Sequence, residues 1–146
     1  MQDSQDRFKK VGVYGILRTG DKIFMLQRAN TGFEDGNYGL VSGHVDDDES
    51  LAQALVREVK EEAGVDIRAE DARLVTVMHR ARVNRIDFYF EITKWEGEPY
   101  NAEPDKCSDA SWFSLKKLPE PTIVYIEQAL NCYQKGTTYS EFGWDS

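Results

Sequence analysis

The chain has 146 residues, 40% of them hydrophobic and 12% aromatic, which suits one globular domain with its own core and excludes a disordered chain. Its 26 acidic residues outnumber 18 Lys and Arg, and the net charge of -8 opposes a phosphate backbone, so no large nucleic acid is expected as partner. No apolar run is long enough to span a membrane, residues 1–10 lack a signal-type apolar stretch, and Cys107 and Cys132 suggest reduced thiols in a soluble cytoplasmic protein.

Residues 1–9 read as a flexible tail and residues 10–135 as the domain. Val11 to Leu17 and Lys22 to Arg28 predict two strands joined by a hairpin-type turn at Thr19-Gly20-Asp21. Ala29 to Asn37 reads as a loop, and Tyr38 to Ser42 as a short strand ending at Gly43. Ser50 with Gln53 fits a capping box, Gly64 a C-terminal stop, and Leu51, Leu55, Val56, Val59 and Ala63 recur at helical spacing between them. Leu74 to Met78 and Ile86 to Thr93 predict strands, and the basic patch of Arg80, Arg82 and Arg85 between them reads as a solvated hairpin end, with a grip on phosphates as the alternative. Glu96 to Asp109 reads as a polar loop, Trp112-Phe113 as a brief strand, and Thr122 to Gln134 as a second helix. Residues 136–146 read as an aromatic tail that packs back on the domain or mediates a homodimer. Strands mixed with two helices in this order predict an α/β layered domain.

The first helix carries the stretch REVKEEAG, with Glu58, Glu61 and Glu62. They fall within an arc of roughly 100° beside the apolar face. Like charges at this spacing repel, so the pattern signals either a solvated acidic face or a bound cation. Three carboxylates make a hard oxygen site suited to Mg²⁺, with Mn²⁺ possible. Gly43 can offer a backbone carbonyl, Arg57 can pair with Glu61, and Glu49 at the helix entrance can reach the arginine or the metal.

Gly43, Glu49, Arg57, Glu58, Val59, Glu61, Glu62, Gly64 and Val65 match G-x5-E-x7-R-E-U-x-E-E-x-G-U, with U aliphatic. Average residue usage gives a chance match on the order of 10⁻⁸. This is the signature of the Nudix hydrolases, and the chain resembles them from about Val11 to Gln134. The resemblance implies an α/β/α sandwich around a mixed sheet. It also implies hydrolysis of a nucleoside diphosphate linked to another group, with Glu58, Glu61, Glu62 and the Gly43 carbonyl ligating Mg²⁺ and Arg57 orienting a glutamate. As general base it points to Glu103, after the Trp95-Glu96-Gly97-Glu98-Pro99 stretch, with Asp105, Glu61 and Glu62 as competitors. Arg28 occupies a position where relatives often hold substrate phosphate, His44 one where MutT-like relatives often carry a lysine, both being candidate substrate contacts, and Phe33 and Tyr38 could stack on a base.

One departure is Leu40-Val41-Ser42-Gly43, where the family commonly has L-P-G-G. Another is Pro119-Glu120-Pro121-Thr122, which lacks the asparagine of some purine-reading relatives. His79 to Val83 contains no proline of the kind common in ADP-ribose hydrolases. MutT-like hydrolysis of nucleoside triphosphates to monophosphate and pyrophosphate is therefore the leading expectation for this small-nucleotide enzyme. The alternatives are hydrolysis of ADP-ribose or another nucleotide sugar, and a non-catalytic nucleotide-binding regulatory domain.

Overall fold

The computed structural model describes residues 10–144; the segment 1–9, read as a tail, lies outside them. Among the described residues the elements follow in the order β1 (Lys10–Thr19), β2 (Lys22–Arg28), β3 (Tyr38–Gly39), β4 (Val41–His44), α1 (Leu51–Ala63), β5 (Ala72–Arg80), β6 (Arg85–Ile92), β7 (Cys107–Ser114), α2 (Val124–Lys135) and β8 (Tyr139–Phe142). Apolar residues line both faces of β1, as a strand covered on both sides requires. Val13 and Leu17 pack with Leu55 and Val59 of α1, whereas Tyr14 and Ile16 pack with Ile126 and Leu130 of α2. The expected α/β/α sandwich is the observed architecture.

The sheet runs β3-β2-β1-β6-β5-β8, with β4 paired to β1 and β7 to β2. It is mixed, because β1 is parallel to β6 but antiparallel to β2 and β4. One edge of β1 is shared: Gly12–Gly15 pair with β4, and Arg18–Thr19 with β2. The sheet forks there. The chain changes partner at Leu40, so the single strand expected over 38–42 is two short ones, β3 on β2 and β4 on β1.

Three expectations are corrected. The polar loop ends earlier than expected, because β7 starts at Cys107 and extends well beyond Trp112-Phe113. Phe24 and Leu26 need covered partners across the sheet, and Trp112 and Ala110 supply them despite the low strand propensity of Cys107–Ser111. The domain does not end at 135, since the following segment packs back on it, the first of the two alternatives expected, and its strand β8 adds to the sheet edge parallel to β5. Trp144 then donates from Nε1 to the His79 carbonyl at 2.9 Å.

The third correction concerns Arg80 and Arg85. They do not form a solvated hairpin end. Asp87 is fully buried and accepts from Arg80 Nε at one oxygen and Arg85 Nε at the other, both at 2.7 Å. Opposite Asp87 on β1 stands Gly12, where a β-carbon would come within 2.4 Å of Arg85 Nη2 and 2.6 Å of Asp87 Oδ1. Only a residue without a side chain leaves room for this pair. No helix among the described residues is long and apolar enough to cross a membrane.

Removing Asp87 strands two guanidinium groups in a largely dry setting. Asp87→Ala is expected to lower unfolding free energy by about 3–5 kcal/mol, read by urea denaturation. A loss below about 1 kcal/mol would mean that both arginines swing out to water without cost.

Candidate active site

The acidic helix is fixed at both ends and along one face. Ser50 Oγ accepts from the Gln53 amide at 3.1 Å, and Gln53 Oε1 accepts from the Ser50 amide at 2.9 Å, completing the expected capping box. The helix stops at Gly64, in the left-handed conformation. Ala54, Leu55, Val59 and Ala63 are fully buried on the sheet. Burying Leu55 and Val59 contributes about 1.5–3 kcal/mol each, which offsets the repulsion among the neighbouring glutamates.

Glu58 lies directly against Gly43 of β4, where a β-carbon would sit 2.0 Å from Glu58 Oε2. The glycine is there because the carboxylate occupies the space a side chain would need. Glu62 accepts from the Ser42 amide at 3.1 Å, while Glu61 is half exposed at the rim. Burial, helped by the neighbouring Glu58 charge, raises the Glu62 carboxyl well above its ordinary range. Burial raises Glu58 also, against the pull of Arg57.

Arg57 ties this face together, and of its two expected partners Glu49 is held more closely than Glu61. Its Nε and Nη2 donate to the two Glu49 oxygens at 2.7 and 2.9 Å, and Nη1 donates to Glu58 at 2.8 Å. Glu61 stands farther off, at 3.6 Å. The hydrogen bonds from Arg57 depress the Glu49 carboxyl to about 2. Arg57 Nη2 also donates to the His44 carbonyl at 3.1 Å. The His44 ring accepts at Nε2 from Arg85 Nη1 at 2.6 Å, so its own proton is on Nδ1. Burial, then the Arg85 charge, lowers the His44 pKa.

Glu103 reaches the site because its loop is stitched to the end of α1. The Tyr100 and Ala102 amides donate to the Ala63 and Glu62 carbonyls at 3.0 and 3.2 Å, satisfying groups that a helix end leaves open. The Glu103 carbonyl accepts from the Lys106 and Cys107 amides, turning the chain into β7. Glu58, Glu61, Glu62, Gly43 and Glu103 thereby line one cleft of about 310 Å³. Arg28, Thr31 and Lys106 line it as well, over a floor that includes Leu26, Leu40 and Ile123.

Arg28 is held by its own loop, donating from Nε to the Phe33 carbonyl at 2.7 Å and from Nη2 to Thr31 Oγ1 at 3.2 Å. Phe33 is half exposed beside it. Tyr38 is not brought to the cleft: its hydroxyl donates to Asp109 at 2.7 Å, and its ring packs edge-on against Phe113. Sequence reasoning missed Thr31, Lys106 and Cys107. Lys106 has no motif to mark it and is placed by the bond from the Ala29 amide to its carbonyl at 2.8 Å. Burial pushes the Cys107 thiol up to about 11, so it is a neutral wall.

The donors fit a hard divalent cation, being carboxylates beside a bare glycine backbone in a site with surplus negative charge. Among the described residues no three acidic, histidine or cysteine groups converge as a ready-made metal cluster. Glu58 is turned to Arg57 and Glu62 to the Ser42 amide.

The raised Glu62 carboxyl has a signed consequence. The stability it lends is full below the unfolded carboxyl value of about 4.3 and is lost as pH rises through the higher folded value. Glu49 works oppositely, because its depressed carboxyl lends stability that is lost as pH falls toward about 2. In the presence of chelator at pH 7.5, Glu62→Gln is therefore expected to raise the melting temperature by several degrees. The gain should shrink as pH falls through 5. An equal or lower melting temperature at neutral pH would show that the buried carboxylate is fully compensated.

Comparison with known proteins gives the family. The family model for the NUDIX domain matches residues 6–130. The chain is 29% identical over 104 residues to the NAD-capped RNA hydrolase NudC of Stutzerimonas stutzeri, covering 71% of this chain and 36% of that protein. It thus spans about a third of such relatives. It is 30% identical over 114 residues to the ADP-ribose pyrophosphatase of Methanocaldococcus jannaschii, covering 75% of this chain and 64% of that one. The crystal structure of a MutT NUDIX hydrolase from Burkholderia pseudomallei superposes with a TM-score of 0.76 at 28% identity, covering 84% of this chain and 95% of that chain. With a complete signature from Gly43 to Val65 and a family match over most of its length, the chain belongs to the NUDIX family of hydrolases.

Proposed function

We propose that the chain is a Mg²⁺-dependent pyrophosphohydrolase of nucleoside triphosphates, releasing a monophosphate and pyrophosphate. The observation that carries the reading is one cleft with Glu58, Glu61, Glu62 and Gly43 on one side and Arg28 and Lys106 on another. A polyphosphate needs both, since its bare charge is repelled by the carboxylates and its magnesium complex is attracted. In this reading Glu58, Glu61, Glu62 and the Gly43 carbonyl hold Mg²⁺, which Mn²⁺ can replace. When bound, the ion neutralises phosphate oxygens and makes a bound water more acidic.

The chain's own residues supply the rest. Arg57 holds Glu49 and Glu58 in place through bonds of 2.7 to 2.9 Å. Arg28 and Lys106 orient the phosphates and stabilise the charge of the departing phosphate oxygen. Glu103 accepts a proton from water as the water oxygen bonds to phosphorus and the anhydride P–O bond breaks. Both cysteines are free thiols, which supports the cytoplasmic setting.

A second reading, hydrolysis of ADP-ribose or a nucleotide sugar, draws on the Methanocaldococcus jannaschii relative. A non-catalytic regulatory role is disfavoured because all the signature residues are retained.

The test incubates the protein with Mg²⁺ and a panel of nucleoside triphosphates, ADP-ribose, NAD and nucleotide sugars, with products resolved by chromatography. Monophosphate plus pyrophosphate from triphosphates is expected, while turnover confined to ADP-ribose or sugars would replace the leading reading with the second. Glu62→Gln should abolish most turnover, and full activity in that variant would remove it from the metal set. Glu103→Gln should lower kcat by about 10²–10⁴ at saturating Mg²⁺. An unchanged kcat would shift the base to Glu61 or Glu62.

A further inference from the structure

Beside the acidic cleft lies a second chamber of about 520 Å³, sharing Tyr14, Arg28, Ser42, Gly43, His44 and Tyr125 with it. Its charge is opposite. Lys10, Arg28, Arg80 and Arg85 line it, and among the described residues no carboxylate does. Asp87, which holds Arg80 and Arg85, is sealed behind them. Each arginine gives its Nε to that carboxylate. Arg85 then reaches His44 and Tyr14, while the central carbon of the Arg80 guanidinium sits over the Tyr125 ring at 3.8 Å from its centre.

This arrangement is costly to build for a neutral guest. Two arginines are withdrawn from water with only one carboxylate to balance them, so the chamber keeps an excess of positive charge at low dielectric. Fixed guanidinium groups at a pocket wall match the oxygens of a phosphate better than any face of a neutral base or ribose. The chamber also meets the acidic cleft at Ser42 and Gly43, so a ligand lying in one extends into the other.

We infer that the second chamber receives a further phosphate group of the substrate, one lying beyond the anhydride that is hydrolysed. The inference rests on the hydrolase reading above and narrows its substrate class to nucleotides carrying this extra phosphate. The group is either the terminal phosphate of a triphosphate or a phosphate monoester elsewhere on the nucleotide. ADP-ribose and NAD lack it.

The experiment measures kcat/KM with Mg²⁺ for two matched pairs, a nucleoside triphosphate against its diphosphate and NADP against NAD. The wild type is expected to favour the member with the extra phosphate in one pair, and that pair identifies the source. Arg85→Gln and Lys10→Gln should each erode the preference about tenfold, the loss of one charge-assisted contact. Arg85→Lys should retain part of it. Lys10 is exposed and lies outside the bonds that tie Arg80 and Arg85 to Asp87, so its variant decides the matter if Arg85→Gln fails to fold. Equal losses on both members of each pair, or no preference in the wild type, would overturn the inference. If no nucleotide is turned over, the hydrolase reading fails instead. Calorimetry with inorganic tripolyphosphate then still tests the chamber: binding weakened about tenfold by Lys10→Gln supports it, and unchanged binding refutes it.

Discussion

Everything in this molecule depends on keeping mutually repelling carboxylates on one helix face. On an exposed helix such repulsion costs a few tenths of a kcal/mol per pair, but Glu58 and Glu62 are withdrawn from water, where it costs more. Arg57 answers part of the problem by bridging Glu49 and Glu58. The sheet answers the rest, because α1 is capped at Ser50, packed through Leu55 and Val59, and hydrogen-bonded at its last turn by the loop that carries Glu103. The acidic site is thus a local instability held by global packing, the usual relation between active sites and their scaffolds.

The short strand β4 joins the two sides of the site. The Ser42 amide meets Glu62, Gly43 makes room for Glu58, and His44 lies between Arg85 and Arg57. A continuous polar path therefore runs from buried Asp87 through Arg85, His44 and Arg57 to Glu49. It crosses from β6 to the entrance of α1 by way of a strand four residues long. Gly12 and Gly43 stand opposite one another's neighbours on β1 and β4 and serve the same need, a carboxylate pressed against bare backbone.

The acidic half of the site was legible in the sequence because its information is local. Cap, apolar stripe, carboxylate spacing and stop all lie between Ser50 and Gly64, and one helix converts spacing directly into geometry. The fold class followed from strand and helix order. What stayed hidden was set by pairing between distant segments. Cys107–Ser111 has a weak strand pattern and becomes a strand only because β2 needs a partner. Arg80 and Arg85 look like a solvated turn until parallel pairing places Gly12 opposite Asp87. Tyr38 is a candidate base-stacking residue by sequence, but its hydroxyl has a partner in Asp109 on β7, which no local pattern reveals. Lys106 belongs to the same class.

That division has a chemical meaning. Hydrolysis of an anhydride asks for a fixed constellation around one phosphorus centre, and a constellation carried by one helix can be specified by a short motif. Choice of substrate depends on what surrounds the parts of the ligand that do not react. In the proposed reading those surroundings come from Lys10 on β1, Arg28 on β2, Arg80 on β5 and Arg85 on β6, two hairpins that are distant along the chain and meet only through the parallel pairing of β1 with β6. A substitution in any of these strands can change the charge of the second chamber without touching α1. On that reading the fold separates the chemistry, carried by one helix, from recognition, which can vary through single side chains on a scaffold already stable.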